Sequence, residues 1–345
     1  MKRLSVVIST LALTSLVYAA PPQDAFSQNY KVEKTWKLGG DGSWDYLTVD
    51  SPNHLLYIAR LNRVMVVDTS SGSLVSEIGG LKHAHGVALD DNGRTGYISD
   101  GGAAQVVVFD RSSYKAIATI PTGENPDSIL IEPVSRHLFV FNGASKSATV
   151  VDENTNAVLT TIPLPGKPEF SVTGEGGNVF VNIEGSSQIV RIDASSLTVT
   201  GSWPLTPCEG PTGLSIDAVH HRLFAVCDNK KMAVVDSISG KLLATVPIGE
   251  GPDAVVYDPV RNMIFSSNGE SGDLTIVQQA TPNLYTKIQT LRTKLGARTM
   301  AADSVSGKLY TVSATLGPKP AATASVPKPK PAVLPNSFVV LVIGQ

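Results

Sequence analysis

Acidic, histidine and arginine side chains recur at one position of a repeated strand pattern, where they would share a single site. Several short strands of the 345-residue chain end in an acid, and the residues of interest stand five positions earlier. They are Asp45, His85, Asp127, Thr212, Asp253 and Arg298. A further copy of the pattern gives either Pro168 or Glu169, because its turn is shorter.

A metal site is the first chemistry that these residues suggest. His83 lies two residues before His85, so both point to the same side of an extended chain. The two histidines with Asp45 or Asp127 suit a borderline divalent metal such as zinc. A ring made of carboxylates alone would instead suit calcium, which takes six to eight oxygen ligands.

Hydrolysis and turn capping are the alternatives. A hydrolase of the lactone-cleaving type would use Asp127 or Asp253 as general base and Arg298 or His85 to stabilise an oxyanion. The same carboxylates would have a structural role if each capped backbone N–H groups in an Asx turn. The recurrence of Pro-Asp, as Pro126-Asp127 and Pro252-Asp253, suits such a turn.

Other recognisable chemistry is missing from the sequence. It has no Cys-x-x-Cys-His motif for covalent haem, no Gly-x-Ser-x-Gly elbow and no His-Glu-x-x-His metalloprotease motif. Phosphate-loop and dinucleotide-binding signatures are also missing. No cofactor is therefore predicted beyond a divalent metal among the residues above. A redox auxiliary with a non-covalent cofactor remains a third functional class.

The elements that must position these residues repeat about every 42 residues. A valine-rich run ends in Asp68, Asp110, Asp152, Asp193 and Asp236, and a sixth copy has Gln278 there instead. Fixed periods of this length indicate a solenoid or a propeller. The five aspartates precede turns rich in Ser, Thr and Asn, so we interpret them as structural turn caps.

Seven copies of four short strands predict an all-β, seven-bladed β-propeller with the candidate residues at the mouth of its channel. The last copy lacks a fourth strand, and Lys31–Leu38 would supply it, giving a 3+1 closure that leaves no open sheet edge. A Pro-, Ala- and Lys-rich insert at about 316–336 interrupts the last copy. We expect an exposed loop there, with a partner-docking arm as the alternative.

The chain begins with features of a secretory signal peptide. Lys2-Arg3 precede a short apolar stretch, and Val17-Tyr18-Ala19 fits a cleavage site. We expect residues 1–19 to be removed and residues 20–345 to form one propeller domain in the periplasm or outside the cell. No later run is long and apolar enough to span a membrane. A net charge near −2 gives no basic footprint for nucleic acid.

Two cysteines, Cys208 and Cys227, fall in the loop before the fifth blade and at the end of that blade's second strand. Export permits oxidation, and a disulfide is the favoured interpretation. Two free thiols or a metal-binding pair are the alternatives.

The repeat resembles that of the YVTN β-propeller family. Leu138 to Asn142, Ala148 to Asp152 and Thr155-Asn156 follow its strand–turn–strand pattern, and Ala244 to Asp253 follows the exit from a blade. YncE-like exported propellers are the nearest relatives that this resemblance implies. The motif is specific for the fold and says nothing about chemistry, because related propellers include lactonases and dehydrogenases.

Together these features predict a monomeric, exported binding or interaction module. Its ligand site would comprise Asp45, His85, Asp127, Asp253 and Arg298, and its partner would be a small molecule or an envelope protein. The alternative is a lactonase-type hydrolase, with or without a metal, that uses Asp127, Asp253 and Arg298 for catalysis.

Overall fold

The computed structural model describes residues 29–345 except 319, 322, 324–328 and 330. The predicted signal peptide therefore lies outside the described residues. These residues form seven four-stranded antiparallel sheets and no α-helix. Each sheet is one blade, and the predicted all-β, seven-bladed propeller is confirmed.

Each blade runs from an inner strand at the channel to an outer strand at the rim. The inner strands are β2 (Leu47–Asp50), β6 (Ala84–Leu89), β10 (Pro126–Glu132), β14 (Pro168–Thr173), β18 (Pro211–Asp217), β22 (Pro252–Asp258) and β26 (Met300–Ala302). The second strands are β3 (Leu55–Arg60), β7 (Thr95–Asp100), β11 (His137–Asn142), β15 (Asn178–Ile183), β19 (Arg222–Cys227), β23 (Met263–Asn268) and β27 (Leu309–Ser313).

The third strands carry the valine-rich runs. They are β4 (Arg63–Asp68), β8 (Gln105–Asp110), β12 (Ser147–Asp152), β16 (Gln188–Asp193), β20 (Lys231–Asp236), β24 (Asp273–Thr281) and β28 (Val339–Gly344). The outer strands are β5 (Leu74–Gly79), β9 (Lys115–Pro121), β13 (Ala157–Pro163), β17 (Thr198–Pro204), β21 (Leu242–Pro247), β25 (Leu284–Arg292) and β1 (Lys31–Lys37).

Burial explains why the repeated strands are rich in β-branched residues. The second and third strands lie between neighbouring blades, so residues on both of their faces are covered; Val66 and Val67, on opposite faces of β4, have no exposed surface. Outer strands are covered on one side only, and β9 exposes Ile117 while it buries Ile120. Branched side chains suit such pleated, packed surfaces. The core therefore lies between blades rather than at a single centre.

The ring closes as the sequence predicts. Strand β1 pairs antiparallel with β28, with Lys31 opposite Gly344 and Lys37 opposite Val339, so the first described strand completes the last blade. It ends one residue before the predicted Leu38. Inner strand β2 contacts both β6 and β26, which joins the first blade to the second and the last.

The aspartates that end the third strands are turn caps. In each case a carboxylate oxygen accepts a hydrogen bond from the backbone N–H three residues later, at 2.7–3.0 Å. This confirms the structural interpretation of Asp68, Asp110, Asp152, Asp193 and Asp236.

The predicted insert separates β27 from β28. It starts from a two-stranded neck in which Leu316 bridges Val333 and the Gly317 N–H donates to the Ala332 carbonyl at 2.8 Å. Among the described residues no helix has the length and hydropathy needed to cross a bilayer.

Candidate ligand site at the channel mouth

Three side chains from three successive blades meet where the inner strands begin. His85 Nδ1 lies 2.6 Å from a carboxylate oxygen of Asp45 and 3.6 Å from one of Asp127. One potential ligand atom from each residue lies within 4.8 Å of the other two. His85 and Asp127 are buried, whereas Asp45 is half-buried. The three residues therefore form one compact cluster, which we call the mouth triad.

Local backbone features place the triad. The pairing register shifts just after the first residue of both β6 and β10, which marks a β-bulge beside His85 and beside Asp127. Bulges of this kind re-aim a side chain out of the regular ladder. A Cβ on Gly86 would lie 2.8 Å from the Ile129 side chain, so a glycine lets these two blades approach closely.

The triad is electrostatically strained. Burial and the nearby charge of Asp45 raise the pKa of Asp127 to about 7. Burial disfavours the charged imidazole of His85, but its hydrogen bond to Asp45 and the charge of Asp127 outweigh this and raise its pKa. Asp127 and His85 therefore both hold their protons more tightly than they would in water.

A third carboxyl group extends the site. Burial and the charge of Asp127 raise the pKa of Glu169 to about 8, although the Lys167 ammonium forms an ion pair with it. Lys167 also lies 2.8 Å from Glu184. Of the two sequence alternatives in this blade, Glu169 is the one that reaches the cluster, while Pro168 begins β14.

Arg298 of the seventh blade and Asp253 of the sixth blade face each other at the mouth. Arg298 Nε lies 4.0 Å from Asp253, and its terminal nitrogen donates to the Trp44 carbonyl at 3.0 Å. The charge of Asp253 raises the pKa of Arg298 despite partial desolvation. Thr212, by contrast, directs its hydroxyl to the backbone carbonyls of Pro252 and Val226, at 3.1 and 3.3 Å.

Tyr46 and Phe170 meet across the channel, with ring centroids 5.0 Å apart. They belong to the first and fourth blades, which lie as far apart as the ring allows. Burial and the charges of four carboxylates together raise the pKa of Tyr46 well above its usual value. These carboxylates are Asp127, Glu169, Asp45 and Asp253. The aromatic pair therefore forms a floor beneath the charged residues.

Sequence reasoning missed this floor, although the signal was present. Tyr46 and Phe170 each follow the candidate position of their blade, and the same place elsewhere holds a small residue. The small residues are Gly86, Ser128, Gly213, Ala254 and Thr299. Two aromatic residues three blades apart, among five small ones, mark a contact across the channel.

His83 packs against His85, with ring centroids 4.3 Å apart and ring planes tilted by 42°. Burial and the neighbouring His85 lower the pKa of His83. Among the described residues, the ligand atoms that approach one another belong to Asp45, His85 and Asp127 rather than to His83. The structure thus places His83 beside the triad as a ring contact.

The turn-capping alternative applies at the other end of the inner strands. There Asp90, Glu132 and Asp258 accept hydrogen bonds from backbone N–H groups of the following turn, at 2.7–3.2 Å. The carboxylate of Asp127 instead faces His85.

Cys208 and Cys227 are buried and joined by a disulfide bond, with Cα atoms 5.7 Å apart. The bond ties the loop before β18 to the end of β19. It lies in the fifth blade and does not touch the mouth triad.

Comparison with known proteins supports the fold. No protein-family model matches the sequence, and no curated protein matches it either. The WD40 repeats of RRP9 are 10% identical, with a TM-score of 0.75 over 92% of this chain and 100% of that one. This chain is a seven-bladed β-propeller.

Two further solved propellers show the breadth of the likeness. A chain of the mitotic checkpoint complex is 15% identical, with a TM-score of 0.71 over 95% of this chain and 99% of that one. A chain of the Kuenenia stuttgartiensis hydrazine synthase is 16% identical, with a TM-score of 0.66 over 85% and 96% of the two chains. Identities this low speak for a shared fold alone.

Proposed function

We propose that this propeller is an exported binding module of the YVTN repeat type whose ligand sits at the channel mouth. Its repeat residues support the assignment to that type, and the basic and apolar residues before Ala20 support export. The partner would be a small molecule or an envelope protein bound by a monomer. A propeller offers such a ligand rigid strand ends from several blades at once.

One observation carries this proposal: carboxylates from four different blades lie close enough to Tyr46 to raise, together with burial, the pKa of its hydroxyl group. Carboxylates that only capped turns of their own blades would not be expected to lie near one residue at the channel mouth. Burying several like charges together is costly unless a ligand or a proton compensates them. The floor of Tyr46 and Phe170 lies one residue further along the chain than Asp45 and Glu169, and it gives a ligand an apolar surface to cover.

The charge balance indicates the ligand class. Five carboxyl groups stand at or beside the mouth, and Arg298 and Lys167 are the permanent cations that pair with them. The acids are Asp45, Asp127, Glu169, Glu184 and Asp253. The excess of acid favours a cationic ligand, which would replace the protons that Asp127 and Glu169 hold.

A thermal-shift panel tests this proposal. The mature protein would be unfolded at pH 7.5 in the presence of divalent metal chlorides, small primary amines, quaternary ammonium ions and lactones. We expect at least one cationic probe to raise the melting temperature in a saturable way. Asp127→Asn should abolish the response, whereas Asp91→Asn, an exposed acid on the opposite face, should retain it. A panel without any saturable response in the wild-type protein would refute a small cationic ligand at the mouth.

Hydrolysis is the second candidate function, and one observation favours it. Carboxyl groups with pKa values of about 7 and about 8 can both donate and accept protons near neutral pH, as general acid–base catalysis requires. If the chain is a lactonase, aliphatic lactones would be hydrolysed with saturation, and Asp127→Asn would remove the activity. Binding of a probe without turnover would leave the binding module as the function.

A further inference from the structure

The mouth triad combines one imidazole and two carboxylates in a space that one ion would fill. Asp45, His85 and Asp127 come from three separate blades. His85 and Asp127 are the second residues of β6 and β10, and Asp45 lies two residues before β2. We infer that these three side chains bind one divalent transition-metal ion of the zinc class. This inference deepens the proposed function and rests on it, because it names a ligand for the same mouth.

The distances suit an ion after small side-chain adjustments. Zinc–nitrogen and zinc–oxygen bonds of about 2.0–2.1 Å place tetrahedral ligands about 3.3 Å apart. His85 Nδ1 and Asp127 are 3.6 Å apart, close to that separation. The 2.6 Å contact between His85 Nδ1 and Asp45 is a hydrogen bond, which a rotation of the Asp45 carboxylate would open. Asp45 is the most exposed of the three and so the freest to turn.

A second, independent observation comes from the other ring nitrogen of His85. Its side chain is about nine-tenths buried, and Nε2 lies beside the Asn125 side chain without a well-formed hydrogen bond among the described residues. Buried polar groups are rarely left unsatisfied without a functional reason. Asn125 is the neighbour available to this nitrogen, because Nε2 and the Asn125 amide oxygen both lie within 2.7 Å of the point where a Gly101 Cβ would sit.

That arrangement is the one a metal-binding histidine needs. A ligating imidazole commonly donates its other N–H to a carboxylate or amide oxygen, which fixes the ring and its tautomer. Here Nδ1 faces the two carboxylates and Nε2 faces the side of Asn125. The glycine at position 101 keeps open the space between them, where any larger residue would collide with the ring.

The donor set selects the class of metal. Imidazole nitrogen with carboxylate oxygen suits zinc and its neighbours, whereas calcium would require six to eight oxygen ligands. The nearby cations leave the triad available, since Lys167 pairs with Glu169 and Glu184 while Arg298 lies beside Asp253. Three protein ligands also leave a coordination position that opens toward the channel mouth, where a partner or substrate could bind.

Isothermal titration with Zn²⁺ tests the inference. Mature protein without a polyhistidine tag would be stripped with a chelator and titrated beside four variants. Asp127→Asn and His85→Gln each remove one ligand at nearly constant volume. His83→Phe keeps the ring contact with His85 but removes the nitrogen atoms, and Asp91→Asn is the exposed-acid control. Circular dichroism and thermal unfolding would verify that each variant folds.

We expect one Zn²⁺ per chain in the wild-type protein, in His83→Phe and in Asp91→Asn, and loss of that binding in Asp127→Asn and His85→Gln. Wild-type protein that takes up no zinc, or folded triad variants that bind it as the wild type does, would overturn the metal site. Loss of binding in a variant that fails to fold is resolved by the other ligand variant. If zinc fails while an organic cation still stabilises the protein, only the metal site is wrong.

Discussion

Asp127 makes the stability of the metal-free protein depend on pH. The folded chain holds its proton up to a pKa of about 7, whereas the unfolded chain releases it near 3.8. Between these values the folded state binds more protons, so the free energy of unfolding falls as pH rises. Glu169, with a pKa of about 8, and His85, whose pKa is also raised, act in the same direction.

We therefore expect the melting temperature of the chelator-treated wild-type protein to fall between pH 5 and pH 8. The melting temperature of the Asp127→Asn variant should fall less over the same range. Each pKa unit corresponds to about 1.36 kcal/mol, so the variant should gain on the order of 1 kcal/mol or more at pH 8. Thermal unfolding across this range measures the difference. Equal pH profiles for the two proteins would show that Asp127 is not perturbed, and Asp91→Asn provides the exposed control.

At the residue scale, counting back from the acid that ends an inner strand found most of the mouth. In the fourth blade no acid ends the inner strand to count back from, because β14 ends in Thr173 and a Gly174-Glu175-Gly176 turn follows. Glu169 was therefore ambiguous. Tyr46 and Phe170 were missed because their contact depends on which blades face each other, and the sequence of a single repeat does not contain that information.

At the element scale, strand β1 closes the ring by pairing with β28 of the last blade. Its Trp36 is buried, packs on Tyr310 with ring centroids 5.6 Å apart, and covers Gly72 of the first blade. Trp203 covers Gly240 in the same way between the fourth and fifth blades but is only half-buried. Both glycines have positive φ, at +77° and +73°.

Trp36→Ala should lower the free energy of unfolding by about 3–5 kcal/mol, the usual range for removing a buried tryptophan. Trp203→Ala should cost less, because more of its ring is already in water. Chemical denaturation of both variants gives the comparison. A smaller loss for Trp36→Ala than for Trp203→Ala would argue against β1 as the strand that closes the ring.

The disulfide stabilises a single blade. It closes a loop with a sequence separation of 19, for which the chain-entropy account gives about 3 kcal/mol. The double variant Cys208→Ser/Cys227→Ser should lose about that much while it keeps the zinc response, since the bond lies away from the triad. Thiol titration of the unfolded wild-type protein should find no free thiol; two reactive thiols would show that the bond does not form.

Strand bounds followed the repeat closely except where the repeat changes. In the sixth blade Gln278 replaces the capping aspartate, and no carboxylate is present there to fold the chain into the usual turn. The antiparallel pairing runs on instead, so β24 and β25 each reach nine residues and meet near Thr281 and Leu284. The sequence shows the missing cap, but the extra pairing depends on how the two strands then align.

At the scale of the whole molecule, the ring brings separate blades together to build one site. No blade contributes more than one ligand to the mouth triad, and the residues of the site span positions 45 to 298. The period and the turn residues were enough to predict this architecture. The chemistry of the mouth depends on distances across the channel, which a repeat pattern does not determine.

The proposed export would place this site outside the cytoplasm. If residues 1–19 form a signal peptide, protein recovered from the exported fraction should begin at Ala20, eleven residues before β1. N-terminal sequencing measures this directly. A chain that retains Met1 in that fraction would show that the segment is an anchor instead. Changing Val17-Tyr18-Ala19 at both small positions to large residues should block the cleavage.

The measurement that tests the central claim most directly is a crystal structure of the mature protein grown with Zn²⁺, with anomalous data collected on both sides of the zinc absorption edge. The account predicts one strong anomalous peak per chain, within bonding distance of Asp45, His85 and Asp127 and above the floor of Tyr46 and Phe170. A channel mouth without a peak, with zinc only at surface histidines such as His220, would contradict it.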